Sequence, residues 1–344
     1  MLKPTALFKD LKVIVVGTGS IGTRHIKNLL ALETSVSAYS YRAERAETLS
    51  KKYGIRVFPS IESAFDSKPD AVIISNRPDQ HMETAVAAAE RGIHVYIEKP
   101  LSNSMKGIDE LRRLTESKSL VIEVGCMMRF HPGLRAIKKL LERNAIGNPY
   151  FARVSVGQYL PDWRPEQDYH QSYSAKSDYG GGVLFDLIHE LDYLYWWFGP
   201  FSDVSAFLDH VSDLEIETED VAQILLRFGN GLVAQVEMDY FSPFYRRDCE
   251  VVGSKGIISW DYNSGKVTLK IKGASEARVF DQPASFERNT MFVDHMKHFL
   301  NRIKNGGNPA VDLEDGINVL KVALAARKAS ENRRAVRPSE IKNQ

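Results

Sequence analysis

The chain has 344 residues, 43% hydrophobic and 26% charged, the make-up of a globular protein able to bury a sizeable core, and at about 150 residues per domain its length suggests two domains. Lys+Arg total 45 and Asp+Glu 44, a net charge of +1 with no block of basic residues, so nothing in the balance asks for nucleic acid. The first ten residues lack a signal peptide's apolar core and no stretch reaches the roughly 18 apolar residues of a membrane span, so a cytoplasmic protein with no membrane partner is expected.

The first third alternates strand and helix. Leu11–Val16 is a continuous apolar run, as expected of a strand buried on both faces of a parallel sheet, and the glycine-rich turn Gly17–Gly22 follows it. Arg24–Leu32 has helical spacing, Ser35–Ser40 is a weaker strand, and Glu44–Tyr53 is a helix stopped by Gly54. Ala71–Ser75 is again a buried strand, and His81–Arg91 an alanine-rich helix ended by Gly92. Strand His94–Glu98, helix Lys106–Ser117 and strand Leu120–Val124 complete the alternation, which implies βαβ units.

The pattern changes near residue 130. After a helix over Pro132–Asn144 come strand-like segments at Tyr150–Val156, Asp220–Phe228, Leu232–Tyr240, Cys249–Val252, Gly256–Asp261 and Lys266–Lys272. Short turns such as Gly229-Asn230-Gly231 join them, a hairpin signal. One helix over Val183–Phe198 interrupts the series, and helices over Asn289–Lys304 and Asp315–Ser330 close the chain. The expected fold is an α/β Rossmann domain over residues 1–128 and an α+β domain with a large, mostly antiparallel open sheet over residues 129–344. Cys126 and Cys249, far apart in apolar strand-like stretches, read as buried free thiols in a reducing compartment.

Gly17-x-Gly19-x-x-Gly22 stands between a strand and a helix, the context that gives this pattern meaning. The first glycine makes the tight turn, the second lets the backbone approach a pyrophosphate, and the third lets the helix pack closely on the strand. Gly17, Gly19, Ser20, Ile21 and Gly22 are therefore the expected phosphate cradle, with the helix N-terminus offering free N–H groups. An acidic residue should end the second strand to hold the ribose 2′-OH of NAD, but the chain reads Tyr39-Ser40-Tyr41-Arg42. Ser40 can hydrogen-bond a 2′-phosphate and Arg42 can pair with it, so NADP(H) is favoured and NAD(H) is the alternative cofactor. Asn76 and Arg77, at the end of a parallel strand, and His81, at the start of the next helix, are further candidates along the dinucleotide; His81 could cap its helix instead.

Glu98-Lys99-Pro100 follows the strand His94–Glu98. With the glycine turn, the run Pro69–Ile74, His81, Gly92–Val95 and the block Val124–Pro132, it resembles the family of glucose–fructose oxidoreductase, inositol dehydrogenase and rhizopine-catabolism proteins. Trp163-Arg164 and Gly180-Gly181-Gly182 before Asp186 resemble that family's substrate-side block, and the likeness spans essentially the whole chain. It implies NAD(H) or NADP(H) binding, hydride transfer on sugars, cyclitols or nucleotide sugars, and a homodimer or homotetramer formed through the open sheet. It also implies that Glu98 and Lys99 lie at the cofactor, that Lys99 stands between nicotinamide and substrate hydroxyl, and that Asp186 and His189 match the family's later Asp and His. The chain departs from the common pattern in spacing: Asp186-Leu187-Ile188-His189 is one residue short, which puts Glu190 at the usual histidine place.

Oxidising a carbinol needs a group to take the hydroxyl proton, with a pKa near the working pH. His189 meets this unperturbed, Lys99 would donate to the substrate oxygen, and Asp186 would orient His189 or bind a second hydroxyl. On one helix Asp186 and His189, three apart, would share a face, whereas Glu190 and Asp192 read as structural. Arg129 faces either substrate or a structural carboxylate, and Trp163 and Arg164, with Tyr159, Tyr169 and Tyr173, form a polar-aromatic loop suited to a sugar or to a neighbouring subunit. No metal is expected, because neither Asp186/His189 nor His295/His298 is followed by further ligands at recognisable spacing. Two other functions are compatible with the sequence: reduction of a tetrapyrrole or a diol on the same fold, and non-catalytic nucleotide sensing.

Overall fold

A computed structural model of the chain describes residues 8–342. Residues 1–7, which belong to the amino-terminal stretch expected to lack a leader, lie outside the described residues. The chain divides into two compact units. One is built from the described residues up to Met127 together with Arg288–Gly316, the other from Met128–Glu287 and Ile317–Lys342.

The first unit contains β1 (Lys12–Val16), α1 (Ser20–Ala31), β2 (Ser35–Tyr39), α2 (Ala43–Tyr53), β3 (Arg56–Phe58), α3 (Ile61–Asp66) and β4 (Ala71–Ile74). It continues through α4 (His81–Glu90), β5 (His94–Glu98), α5 (Ile108–Lys118) and β6 (Ile122–Gly125). The strands pair in parallel in the order β3-β2-β1-β4-β5-β6, the Rossmann arrangement, in which the strand order reverses between β1 and β4. Strand β4, AVII, is buried at every position because helices must cover both faces of such a sheet. The sequence had shown neither β3 nor α3, which are too short to display a period.

The second unit contains α6 (Pro132–Glu142), β7 (Pro149–Gly157), α7 (Val183–Asp186), α8 (His189–Phe198), β8 (Phe201–Asp209), β9 (Val221–Phe228) and β10 (Val233–Asp239). Strands β11 (Arg246–Gly253), β12 (Gly256–Asp261), β13 (Lys266–Ile271) and β14 (Arg278–Asp281) follow. They form one eight-stranded sheet, β14-β13-β12-β11-β7-β10-β9-β8, antiparallel except where β10 pairs with β7. In β9 and β10 the residues Ala222, Ile224, Leu226, Ala234, Val236 and Met238 are buried, while Leu225 on β9 and Phe207 on β8 project from the other face at 55% and 78% exposure.

Helix α9 (Arg288–Asn305) corrects the expected assignment of all residues after 128 to the second domain. Its Met296, Phe299 and Leu300 belong to the hydrophobic cluster of the first unit, with Val13, Ile26 and Tyr96. Buried Glu123 on β6 anchors this return of the chain: it accepts from His295 at 2.9 Å and from the amides of Ala310 and Val311 at 2.9 and 3.0 Å. Burial alone would raise its pKa, but hydrogen bonds from His295 and His298 hold it at about 2. Helix α10 (Leu313–Asn332) closes the chain. Among the described residues, no helix is long and apolar enough to cross a membrane.

Candidate functional site

The end of β1 opens into the glycine turn, beside the end of β4. Gly17 has a φ of +88°, and a Cβ there would lie 2.2 Å from the Asn76 nitrogen. A Cβ at Gly22 would lie 1.8 Å from the Gly17 carbonyl oxygen. Gly19 differs, since a Cβ there meets nothing within 4 Å. The first and third glycines thus serve packing inside the protein, while the second borders open space at the N-terminus of α1. Ser20 is exposed and Ile21 half-buried at that terminus, which carries no side-chain cap and no acidic residue in its first turn. Its N–H groups and positive dipole end suit a pyrophosphate, so these residues fit a dinucleotide.

Two side chains hold the turn. Ser75 Oγ donates to the Gly17 carbonyl at 2.8 Å. Arg45 donates to the Thr18 carbonyl through Nε at 3.0 Å and Nη2 at 2.7 Å, and to Thr23 Oγ1 at 2.6 Å. Sequence reasoning had missed Arg45. Its only signal was a cation in the first turn of α2, where the helix dipole favours an anion and another role is needed to explain it.

At the end of β2, Ser40 is 8% exposed and lies 3.5 Å from the Thr18 hydroxyl. Arg42 is exposed, and its Nε donates to Tyr41 OH at 3.0 Å. Asn76 donates through Nδ2 to Thr84 at 3.1 Å, while its buried Oδ1 has no protein partner among the described residues, as expected of an atom kept for a ligand. Arg77 pairs with Asp79 at 2.8 Å.

His81 and Glu98 need correction as cofactor contacts, because both point into the protein. His81 is 1% exposed and has Nδ1 at 2.9 Å from the Pro100 carbonyl oxygen and Nε2 at 3.1 Å from that of Asn76. Glu98 Oε1 lies 2.6 Å from buried His25 Nε2, and its Oε2 accepts the Lys99 amide at 3.3 Å. Burial would raise the Glu98 pKa, but the His25 hydrogen bond and the charges of His25 and Lys99 bring it below the ordinary value, so a carboxylate stands behind Lys99. Lys99 is half-buried, and the peptide bond to Pro100 is cis.

In the second unit the expected single helix over Val183–Phe198 is broken. Asp186 ends α7, Leu187 and Ile188 form the break, and His189 opens α8, so the shared-face argument for Asp186 and His189 does not apply. Both residues are 3% exposed. Tyr240 OH donates to Asp186 Oδ2 at 2.7 Å, and Tyr173 OH donates to Oδ1. Burial first, and then Asp186, push the Tyr240 pKa well above its ordinary value, so this phenol remains a donor. Gly182, at φ +104°, lets the chain pass against Glu219, whose Oε1 would lie 2.3 Å from a Cβ there. Burial raises the Glu219 pKa, partly offset by the Arg327 charge.

Of the two places open to Arg129, the structure shows the structural carboxylate: its guanidinium grips Asp192, with Nη2 2.7 Å from Oδ1, in a pair exposed by 4% and 0%. Glu190, at the family's usual histidine place, forms a buried pair with Arg247 at 2.8 and 3.1 Å. Glu190 and Asp192 thus hold the unit together, as the sequence suggested. Trp163 and Arg164 line a small cleft, with Leu160, Gln167, Asp168 and Tyr169 among its walls. Trp163 meets Tyr240 edge to face, 5.3 Å between centroids. Among the described residues, no group of three or more His, Cys, Asp or Glu side chains is arranged to hold a metal.

Comparison with known proteins accords with this geometry. Residues 11–126 match the model of an oxidoreductase family with an NAD-binding Rossmann fold, and residues 134–259 match a GFO/IDH/MocA C-terminal domain. The chain is 27% identical to a myo-inositol 2-dehydrogenase of Thermotoga maritima, over 96% of this chain and 99% of that one. It is 30% identical to an inositol 2-dehydrogenase/D-chiro-inositol 3-dehydrogenase of Lacticaseibacillus casei, over 72% of this chain and 71% of that one. The structure of a levoglucosan dehydrogenase in complex with NADH shares the fold, with a TM-score of 0.86 at 21% identity over 97% of this chain and 99% of that one. The match of both halves of the chain, in order, to the two domain models and the likeness to these dehydrogenases show that it belongs to the GFO/IDH/MocA family of oxidoreductases.

Proposed function

We propose that the protein transfers hydride to or from a CH–OH carbon of a sugar, cyclitol or nucleotide-sugar derivative, with NADP(H) preferred over NAD(H). The observation that carries this is the open space at Gly19, beside a turn otherwise closed by Gly17 and Gly22 at an uncapped helix N-terminus. Gly17, Gly19, Ser20, Ile21 and Gly22 would hold the pyrophosphate, and Asn76 and Arg77 would follow the dinucleotide along the strand ends. The lack of an acidic residue over Tyr39–Arg42 leaves room for a 2′-phosphate, with Ser40 and Arg42 as its partners. A nicotinamide, when bound, supplies or takes the hydride.

The protein's own residues handle the proton. In the oxidising direction His189 takes the proton of the substrate hydroxyl as the C–H bond gives up its hydride. Lys99 donates a hydrogen bond to the reacting oxygen and steadies the charge that develops there, with the Glu98 carboxylate behind it. Asp186, which accepts from Tyr173 and Tyr240, would hold a further substrate hydroxyl, and Trp163 and Arg164 would bind the rest of the substrate.

The relatives named for inositols support a polyol substrate. Exposed Phe207 and Leu225, on one face of paired strands, support a homodimer or homotetramer formed through the open sheet. Cys126 and Cys249, both free and buried, suit a cytoplasmic setting.

Equilibrium titration with NADPH and NADH, for the protein and for Arg42→Ala, tests the proposal. The expected result is tighter NADPH binding that weakens about tenfold in the variant, the order of one charge-assisted contact. Equal or tighter NADH binding overturns the 2′-phosphate assignment, and binding of neither overturns the enzymatic function.

A further inference from the structure

Lys99 stands on a turn that is tied to the first unit from two sides. His81 meets the Pro100 carbonyl on one side, and the other tie is a buried pair of side chains. Glu98, which ends β5, lies 2.6 Å through Oε1 from Nε2 of His25 on α1, while its Oε2 accepts the Lys99 amide at 3.3 Å. The His25 side chain is 0% exposed and that of Glu98 9%. The His25 ring is wedged edge-on against Tyr96 and Phe292, 5.4 and 6.2 Å between centroids. Its Nδ1 has no hydrogen-bond partner among the described residues, so its hydrogen bonding is directed at Glu98. Space for the carboxylate comes from β6: at Gly125, opposite Glu98 in the sheet, a Cβ would lie 3.0 Å from Glu98 Cα and 3.1 Å from Oε2.

We propose that His25 is a positioning residue for Lys99: through Glu98 it ties the lysine's turn to the helix whose N-terminus would seat the dinucleotide. The inference rests on the oxidoreductase function proposed above, in which the glycine turn holds the pyrophosphate and Lys99 meets the reacting oxygen. His25 lies about one and a half turns beyond Ser20 on the same helix. A phosphate at that N-terminus and Lys99 would thus be joined by one short path, through α1, the imidazole, the carboxylate and the Lys99 amide.

Stability alone does not account for the pair. Two ionisable groups buried together add little over apolar side chains of the same volume, because lost hydration offsets their attraction. Placement of a reacting group does need them, since a displacement of about 1 Å lowers a rate by about a hundredfold. Without the imidazole, the Glu98 carboxylate would be a lone buried charge, which takes a proton or turns toward water. In either case the Lys99 amide loses its charged acceptor, and the turn keeps only the tie to His81.

The test reads the Lys99 side chain itself in the full-length protein, by its rate of acetylation with acetic anhydride, with and without saturating NADPH, followed by peptide mass spectrometry. Exposed Lys106 is the internal reference. In the unaltered protein NADPH is expected to slow Lys99 about tenfold, the order of one hydrogen bond to a charged group, and Lys106 not at all. In His25→Leu, at full NADPH occupancy, that ratio should fall toward one. In His25→Gln, whose amide donates from near the Nε2 place, it should return. Glu98→Gln keeps the shape and removes the charge, and should lose the protection as His25→Leu does. Protection that persists in His25→Leu or in Glu98→Gln overturns the inference, as does failure of His25→Gln to restore it. A lowered melting temperature with protection intact overturns it in favour of a purely structural pair. Absence of protection in the unaltered protein at full NADPH occupancy, or of NADPH and NADH binding, counts instead against the function on which the inference rests.

Discussion

His81 and Pro100 are joined by a buried contact, 2.9 Å from the imidazole Nδ1 to the carbonyl oxygen, in the turn that carries Lys99. The other ring nitrogen faces a second carbonyl, that of Asn76, at 3.1 Å. A neutral imidazole has one N–H and can donate to only one of them. Burial lowers the His81 pKa against the opposing pull of both carbonyls, so the ring is held neutral. His81→Ala would leave one of these carbonyls without its donor, and a loss of roughly 1–3 kcal/mol is expected. Thermal unfolding of the variant checks this. Because the folded pKa lies below the ordinary value of about 6.5, the stability linked to this ring is full above that pH and declines as the pH falls below it. A variant that melts like the parent at pH 7 and pH 5 would show that the strut has no energetic weight.

Glu123 gives the opposite residue type with the same acid sensitivity. Its folded pKa of about 2 lies below the ordinary 4.5, so its contribution is complete above 4.5 and disappears as the pH falls through 2. Glu123→Gln breaks the buried contact with His295 and weakens the acceptor for two amides, and a loss of about 3–5 kcal/mol is expected. Urea denaturation between pH 2 and 7 should show a shallower acid decline in the variant; parallel curves for the two proteins would refute the assignment.

Arg45 acts on the glycine turn through the Thr18 carbonyl, a backbone group that both cofactors would meet alike. Arg45→Met is therefore expected to weaken NADH and NADPH equally, by about tenfold, the equivalent of one charge-assisted hydrogen bond. Arg42→Ala, by contrast, should weaken NADPH alone. Arg45→Lys should recover only part of the loss, because an ammonium cannot reproduce the two-nitrogen grip. Fluorescence titration with both dinucleotides decides it, and unequal losses in Arg45→Met would rule out a role confined to the turn.

Tyr240→Phe removes one of the phenol donors that hold Asp186. Turnover should fall about tenfold, in line with one lost hydrogen bond to a charged group, while dinucleotide affinity stays as it was. Steady-state kinetics beside a cofactor titration separates the two, and full turnover in the variant would remove Asp186 from the reaction.

The dinucleotide cradle was legible because it is local. Six consecutive residues encode a positive-φ turn, a close approach and a packing contact, and the flanking strand announces itself by burial on both faces. The substrate-side carboxylate was legible only as a position. Its phenol donors lie 13 and 54 residues away, and the helix break before His189 falls at Leu187-Ile188, with no glycine or proline to mark it. The role of Arg129 was undecidable for the same reason, since Asp192 lies 63 residues along the chain. Strand β8 escaped notice because its burial does not alternate cleanly. Helix α9 was seen, but an apolar stripe does not say which core it joins.

The return of α9 to the first unit has a consequence for biosynthesis. The polypeptide leaves that unit after Met127, re-enters it at Arg288 and leaves again after Gly316. On the ribosome the parallel sheet must therefore wait, with the surface that Met296, Phe299 and Leu300 will cover still bare, until the whole intervening unit has been made. A gene fragment ending at residue 128 should yield an aggregation-prone product, whereas one that splices residues 288–316 onto it supplies the missing wall of the core.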